Sequence, residues 1–229
     1  MTQWQDYISI KKSKQARRYS LRLNHKLRRI DLVVPHRSSE TRALAFAAQY
    51  QDWIEDKIAA LPCAIPFAQG ETIPLFDIPH RINIQYEEAR KSTKITLQNG
   101  IIHVITNQTD PSLRIERYLK KYAKDVLTTM VHEKAMLLGK RVNQVNIRDT
   151  SSRWGSCSCE GNIALSWRLM FAPIETTDYV IAHEVAHLKH LDHSPKFWKL
   201  CESLSDDYKI GKKWIKDQGH TLMRYGTAI

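Results

Sequence analysis

"DYVIAHEVAHLKHLDHSPKFW", residues 178–198, holds four of the ten histidines of a 229-residue chain. The longer stretch "TTDYVIAHEVAHLKHL" (176–191) has the pattern of an amphipathic helix entered after Pro173, with Thr176 or Thr177 as its cap. Positions i and i+4 lie one turn apart on one face, so His183 and His187 can present their imidazoles to a single point. Zinc accepts such nitrogens at about 2.0–2.1 Å, which this spacing meets without strain. Glu184 lies about 100° around the helix from His183. Its carboxylate is expected beside a metal, where it takes a proton from water, so H-E-x-x-H supplies two ligands and a general base.

A catalytic zinc has three protein ligands and an open position. His190, on a continuing helix, would sit too far along the axis to join His183 around one ion. His193 precedes Ser194-Pro195, an N-cap and N1 pair opening a new helix with Phe197, Leu200, Cys201 and Leu204 at helical spacing. The turn between the two helices can swing His193 over the metal, and His193 is assigned as the third ligand. Burying an unpaired His and Glu in an apolar helix would cost several kcal/mol, which argues against a chance motif. A structural zinc would want four protein ligands and would leave Glu184 idle.

Upstream, "RWGSCSCEGNIALSWRL" (153–169) reads as a hairpin turning near Glu160-Gly161-Asn162. Its strand is expected either to be plain core or to give an edge to which an extended peptide adds by backbone hydrogen bonds. "YSLRLN" (19–24) and "RIDLVVP" (29–35) alternate as strands, and 39–61 reads as one helix capped by Ser39. Strands at 80–86, 94–98 and 101–106 follow, the last two joined by the hairpin pair Asn99-Gly100. This part is expected to form a mostly antiparallel sheet. A helix fills most of 111–138, from Pro111 to a Gly139 cap. The expected fold is α+β: a β-rich N-terminal part with one helix over 1–110, and a zincin-like part of hairpin and H-E-x-x-H helix over 111–229.

Composition is that of a globular chain, 42% hydrophobic and 26% charged. No apolar run approaches a membrane span, and the first twenty residues lack the apolar core of a secretory signal, so the expected location is cytoplasmic. Cys63, Cys157, Cys159 and Cys201 are too few and irregular for a disulfide framework, and the C-x-C pair reads as reduced thiols. Net charge is +11; residues 1–37 hold ten Lys/Arg, opposed only by Asp6 and Asp31. Such a field attracts phosphate backbones without sequence choice, so nonspecific nucleic-acid contact through this part is a second expectation.

At "RWGSCS" (153–158), "GNIALSWRL" (161–169), "AP" (172–173), "DYVIAHEVAHL" (178–188) and "DHSPKFW" (192–198), in that order, the chain resembles the YgjP-like metallopeptidase family of zincins. The close resemblance covers about residues 148–200 and extends more loosely to "RRYSLRLN" near the start. Ser166 stands where the family usually has Asn. There is similarity also to the SprT and WLM groups, whose third histidine likewise precedes a short segment with proline and phenylalanine. The resemblance implies zinc ligands at His183, His187 and His193, an acid/base at Glu184, and hydrolysis of a protein or peptide substrate through a metal-bound water. Two rival readings remain at this point: a nucleic-acid-associated binding protein with a structural or vestigial zinc, and a zinc amidase on small substrates. His190, Arg153, Tyr208 and His220 are all available as oxyanion donors. Asp192 and Glu202 are available as carboxylates to orient the imidazoles.

Overall fold

The computed structural model describes residues 3–150 and 153–227. Two compact units emerge, one up to Cys63 and one from Ala64.

In the first unit, β1 (Ile8–Ser13), β2 (Ser20–Asn24) and β3 (Arg29–Pro35) form a sheet of order β1-β3-β2. β3 pairs parallel with β1 and antiparallel with β2. Ile30, Leu32 and Val34 alternate onto one face and are fully buried with Ala43, Ala47 and Ile54, as the two-residue period of a strand requires. Asp31 takes the opposite face, where Lys11 Nζ lies 2.6 Å from Oδ2 and Asn24 donates to the same oxygen. Residues 39–61 form two helices, α1 (Glu40–Ala48) and α2 (Gln51–Ala59), rather than the expected one. Ser39 does cap α1, its side chain accepting from the Arg42 amide. The break falls where the Tyr50 backbone leaves helical values, at φ −120° and ψ 24°, with its ring 5.1 Å from that of Phe46.

The second unit opens with β4 (Thr72–Leu75), β5 (Ile78–Tyr86), β6 (Lys94–Gln98) and β7 (Ile101–Thr106), in the order β4-β5-β7-β6. The Asn99-Gly100 hairpin is present, with φ of 51° and 71° at its two residues. The expected single sheet is corrected, while its mostly antiparallel pairing holds in three of the five described strand pairs before residue 110. Strands before residue 110 belong to two sheets, and each contains a parallel pair, β1 with β3 and β5 with β7.

α3 (Ser112–Leu137) buries Ile115, Leu119, Ala123, Leu127, Val131 and Ala135, a stripe repeating every fourth residue. Each large aliphatic in it contributes about 1.5–3 kcal/mol by leaving water. Ile73, Ile82, Ile102 and Val104 of the sheet share one core with this stripe and with Val180, Ile181 and Val185. That shared core is why the division of the chain falls after Cys63 and not near residue 110: the second sheet cannot be parted from α3 without exposing both.

β8 (Gln144–Arg148), β9 (Gly155–Cys157) and β10 (Asn162–Ser166) make a three-stranded sheet of order β8-β10-β9. Ile163 and Leu165 of central β10 are buried, and β9 is an edge strand paired antiparallel to it. A 3-10 segment (Trp167–Phe171) leads to α4 (Ile174–Ala186), followed by α5 (Pro195–Ser203), α6 (Tyr208–Gln218) and a second 3-10 segment (Gly219–Arg224). Arg168, 3% exposed, lies 3.0 Å from Asp149 and donates to the carbonyls of Leu222 and Tyr225, fastening the last segment to the hairpin. Among the described residues no helix is long and apolar enough to cross a membrane.

Candidate metal centre

α4 buries nine of its thirteen residues. Pro173 occupies its N-cap position, while Thr176 and Thr177 lie inside the helix and are buried; Thr177 Oγ1 donates to the Leu169 carbonyl at 2.8 Å. α6 crosses α4 closely: a Cβ on Gly211 would stand 2.7 Å from that of Tyr179. The helix then stops at Ala186, with His187 as its C-cap and the His190 amide bonding back to the Ala186 carbonyl. The chain therefore turns before His190, and the expected N1 proline of the next helix, Pro195, stands where it was read.

The turn delivers His193 to the other two histidines. Ring centroids are 5.0 Å apart for His183 and His187, 5.0 Å for His183 and His193, and 4.8 Å for His187 and His193. One nitrogen from each ring lies within 4.8 Å of the others. His183 Nε2 and His193 Nε2 face each other at 3.2 Å. Two ligands at about 2.0–2.1 Å from a tetrahedral ion stand about 3.3 Å apart, so this pair already has the separation of a tetrahedral edge. Bare ring nitrogens facing each other at that distance need a shared proton or a shared cation between them.

His187 Nδ1 lies 3.0 Å from the His190 carbonyl oxygen. A carbonyl only accepts, so Nδ1 carries the proton and Nε2 is left with its lone pair for the centre. His190 thus contributes its backbone and not its ring. Of the carboxylates expected to do this orienting, Asp192 and Glu202 are both exposed. Asp192 instead bonds Ser194, which holds its carboxyl below the ordinary range. Phe197, fully buried at the start of α5, floors the group, with its ring 5.0, 4.5 and 4.8 Å from those of His183, His187 and His193. Its apolar spacing pointed to a core residue; its place under three imidazoles was not readable there.

Burial, with the neighbouring His187, His193 and Lys212, lowers His183 to about 4. Burial also lowers His187. Both are neutral near pH 7, the form that binds a metal. His183 Nδ1 is buried without a hydrogen-bond partner. Among the described residues this trio is the group of three or more side chains whose donor atoms lie close enough to hold an ion. The donor set, the 3.2 Å edge and the neutral His183 and His187 rings fit a zinc ion.

Glu184 is 5% exposed. Burial pushes its carboxyl up to about 7, against the pull of the Arg153 guanidinium. It packs on β9, where a Cβ on Gly155 would stand 2.7 Å from its Cδ. The neighbouring Cys157 thiol is raised to about 11, by burial first and by Glu184 second. "RWGSCS" holds Gly155 without marking its role; the signal in the sequence is a glycine with no turn to explain it. Nor does the sequence mark Lys212, whose Nζ lies 4.0 Å from the Trp198 ring and 2.8 Å from the Tyr208 hydroxyl. Trp198 in turn lies 5.6 Å from His183. Beside β9 a cleft of about 550 Å³ runs along the polar face of its sheet, past Asn146, Arg148, Arg153, Ser156 and Asn162.

Residues 17–218 match the family model described as YgjP-like, metallopeptidase domain. No curated protein matches the chain. A solved structure, the metallopeptidase zymogen of Pyrococcus abyssi abylysin, aligns at 23% identity with a TM-score of 0.36, over 41% of this chain and 95% of that one.

Proposed function

Because the chain belongs to the YgjP-like metallopeptidase family, we propose that it is a zinc-dependent peptidase, with His183, His187 and His193 as ligands and Glu184 as general base. The observation that carries this reading is the convergence of three imidazole nitrogens within 4.8 Å, from the end of α4 and the turn after it, with the buried Glu184 next to His183 in sequence.

Zinc held there supplies Lewis-acid polarisation of the scissile carbonyl and makes water more acidic. Glu184 takes a proton from the attacking water and passes it to the departing amine, a role worth about 10²–10⁴-fold. A carboxyl pushed up to about 7 suits both transfers, since it accepts and releases a proton near neutral pH. The His190 carbonyl keeps His187 in the tautomer that presents Nε2. Phe197 keeps water from beneath the rings. β9, unpaired on its outer side within its sheet, receives an extended substrate main chain by strand addition.

A structural zinc is disfavoured, because it calls for four protein donors and the group among the described residues numbers three. The four cysteines stand as free thiols, the state a reducing cytoplasm maintains. The test is metal analysis of the purified chain beside hydrolysis of unfolded protein and fluorogenic peptides. About one zinc per chain is expected, with Glu184→Gln keeping the metal and losing hydrolysis by about 10²-fold or more. Undiminished hydrolysis by metal-loaded Glu184→Gln would end the assignment.

A further inference from the structure

We propose that the N-terminal half of α3 is a binding surface for single-stranded nucleic acid. Arg114, Arg117, Lys121 and Lys124 are all exposed on this helix. Their spacing of three, four and three residues puts them on one ridge, with steps of about 4.5–6 Å and a length of about 15 Å. That length matches about four stacked nucleotides at ~3.4 Å each. Arg114 lies in the first turn of α3, where the carboxylate beside it is that of Asp110, which accepts the Ser112 amide. Of the acids on this side, Glu116 and Asp149 both engage Lys120.

Grooves run along both flanks of the ridge. One, of about 580 Å³, lies between α3 and β6; Arg114, Arg117 and Lys121 line it together with Tyr118, Tyr122 and Ile95, and Asp125 closes one end. The two tyrosines are one turn apart and half-buried. The other, of about 450 Å³, lies toward β8 and is lined by Lys120, Lys121, Lys124 and Arg148. Cations at near-regular intervals beside an aromatic groove fit a strand whose phosphates follow the ridge and whose bases stack on the tyrosines. A duplex keeps its base faces stacked away from such a groove. An acidic polypeptide matches the charge but brings no planar groups for Tyr118 and Tyr122.

The test is fluorescence anisotropy of the full chain with labelled oligothymidine of about twelve nucleotides. Four phosphate contacts give a slope of log affinity on log salt near −2.8, so raising salt from about 50 to about 200 mM should weaken binding about fiftyfold. Arg117→Glu with Lys121→Glu should weaken binding at least about tenfold and roughly halve that slope. Lys12→Glu with Arg37→Glu, an equal charge change in the first unit, should change it by less than about threefold. Tyr122→Leu should weaken it about fivefold or more with the slope unchanged. Circular dichroism checks the fold of each variant, and Arg117→Ala with Lys121→Ala serves if the reversal unfolds the chain. Four results would each overturn the proposal: no binding by the unaltered chain at low salt, equal weakening by the two charge reversals, tighter binding of a duplex of the same length, or equal competition by poly-glutamate.

Discussion

Gly155 lies against Glu184 so closely that a methyl group there would stand 2.6 Å from the glutamate's Cγ and 2.7 Å from its Cδ. Backbone of β9 thus forms one wall of the carboxylate's slot. Gly155→Ala is expected to push the carboxyl aside and cost about 10²-fold in kcat/KM, the usual effect of an ångström-scale misplacement. Zinc content should be unchanged, because the three atoms nearest a methyl there all belong to Glu184. Peptidase assays with metal analysis check both; full activity in the variant would show that the slot is loose.

His193→Ala should lose stoichiometric zinc, whereas His190→Ala should keep it. The reason is geometric: the His193 ring faces His183 at 3.2 Å, while His190 offers its main-chain oxygen to His187, and alanine retains that oxygen. Metal analysis after dialysis is the measurement. Equal loss in both variants would mean that the His190 ring is needed after all.

In the chelated protein, His183 and Glu184 should tilt stability in opposite directions across the same pH window. Burial lowers His183 from 6.5 to about 4, so in that interval the unfolded chain binds more protons and stability rises with pH. Burial raises Glu184 from 4.5 to about 7, so there the folded chain binds more protons and stability falls as pH rises. In metal-free Glu184→Gln only the histidine effect is left. Its Tm should therefore drop more steeply than that of metal-free unaltered protein as pH goes from 7 to 4.5. Parallel Tm curves would refute a raised Glu184.

Arg168→Leu should destabilise the second unit by about 3–5 kcal/mol, since it leaves Asp149 with the longer Lys120 contact in place of its 3.0 Å partner and removes the donor to two carbonyls. Thermal unfolding measures it. A loss below about 1 kcal/mol would place this pair with weak surface ion pairs.

The approach of His183, His187 and His193 to one another was largely readable from local spacing. His183 and His187 are an i, i+4 pair, and Ser194-Pro195 marks a helix start that forces a bend before His193; both facts reside within twenty residues. Ser39 and Asn99-Gly100 were readable for the same reason, each being a short-range device. What escaped depends on distant partners. The parallel pairings of β1 with β3, β5 with β7 and β8 with β10 leave no mark on the turn residues between them. The place of the unit boundary follows from a core shared by Ile82, Ile102 and Leu127, residues far apart along the chain. Orientation of His187 was sought in carboxylates and falls to a carbonyl, a group every residue carries and no motif can flag.

α4 ends at Ala186, so its last carbonyls and the imidazoles of His183 and the C-cap His187 share one pole of the helix. A divalent ion gathered by those rings would neutralise the negative end of that peptide array, a favourable term of up to about 2 kcal/mol. Ligation and helix termination then become a single event, and stripping the ion should fray the final turn first. Amide exchange at Val185 to Leu188 would then quicken while the buried start of the helix stays protected.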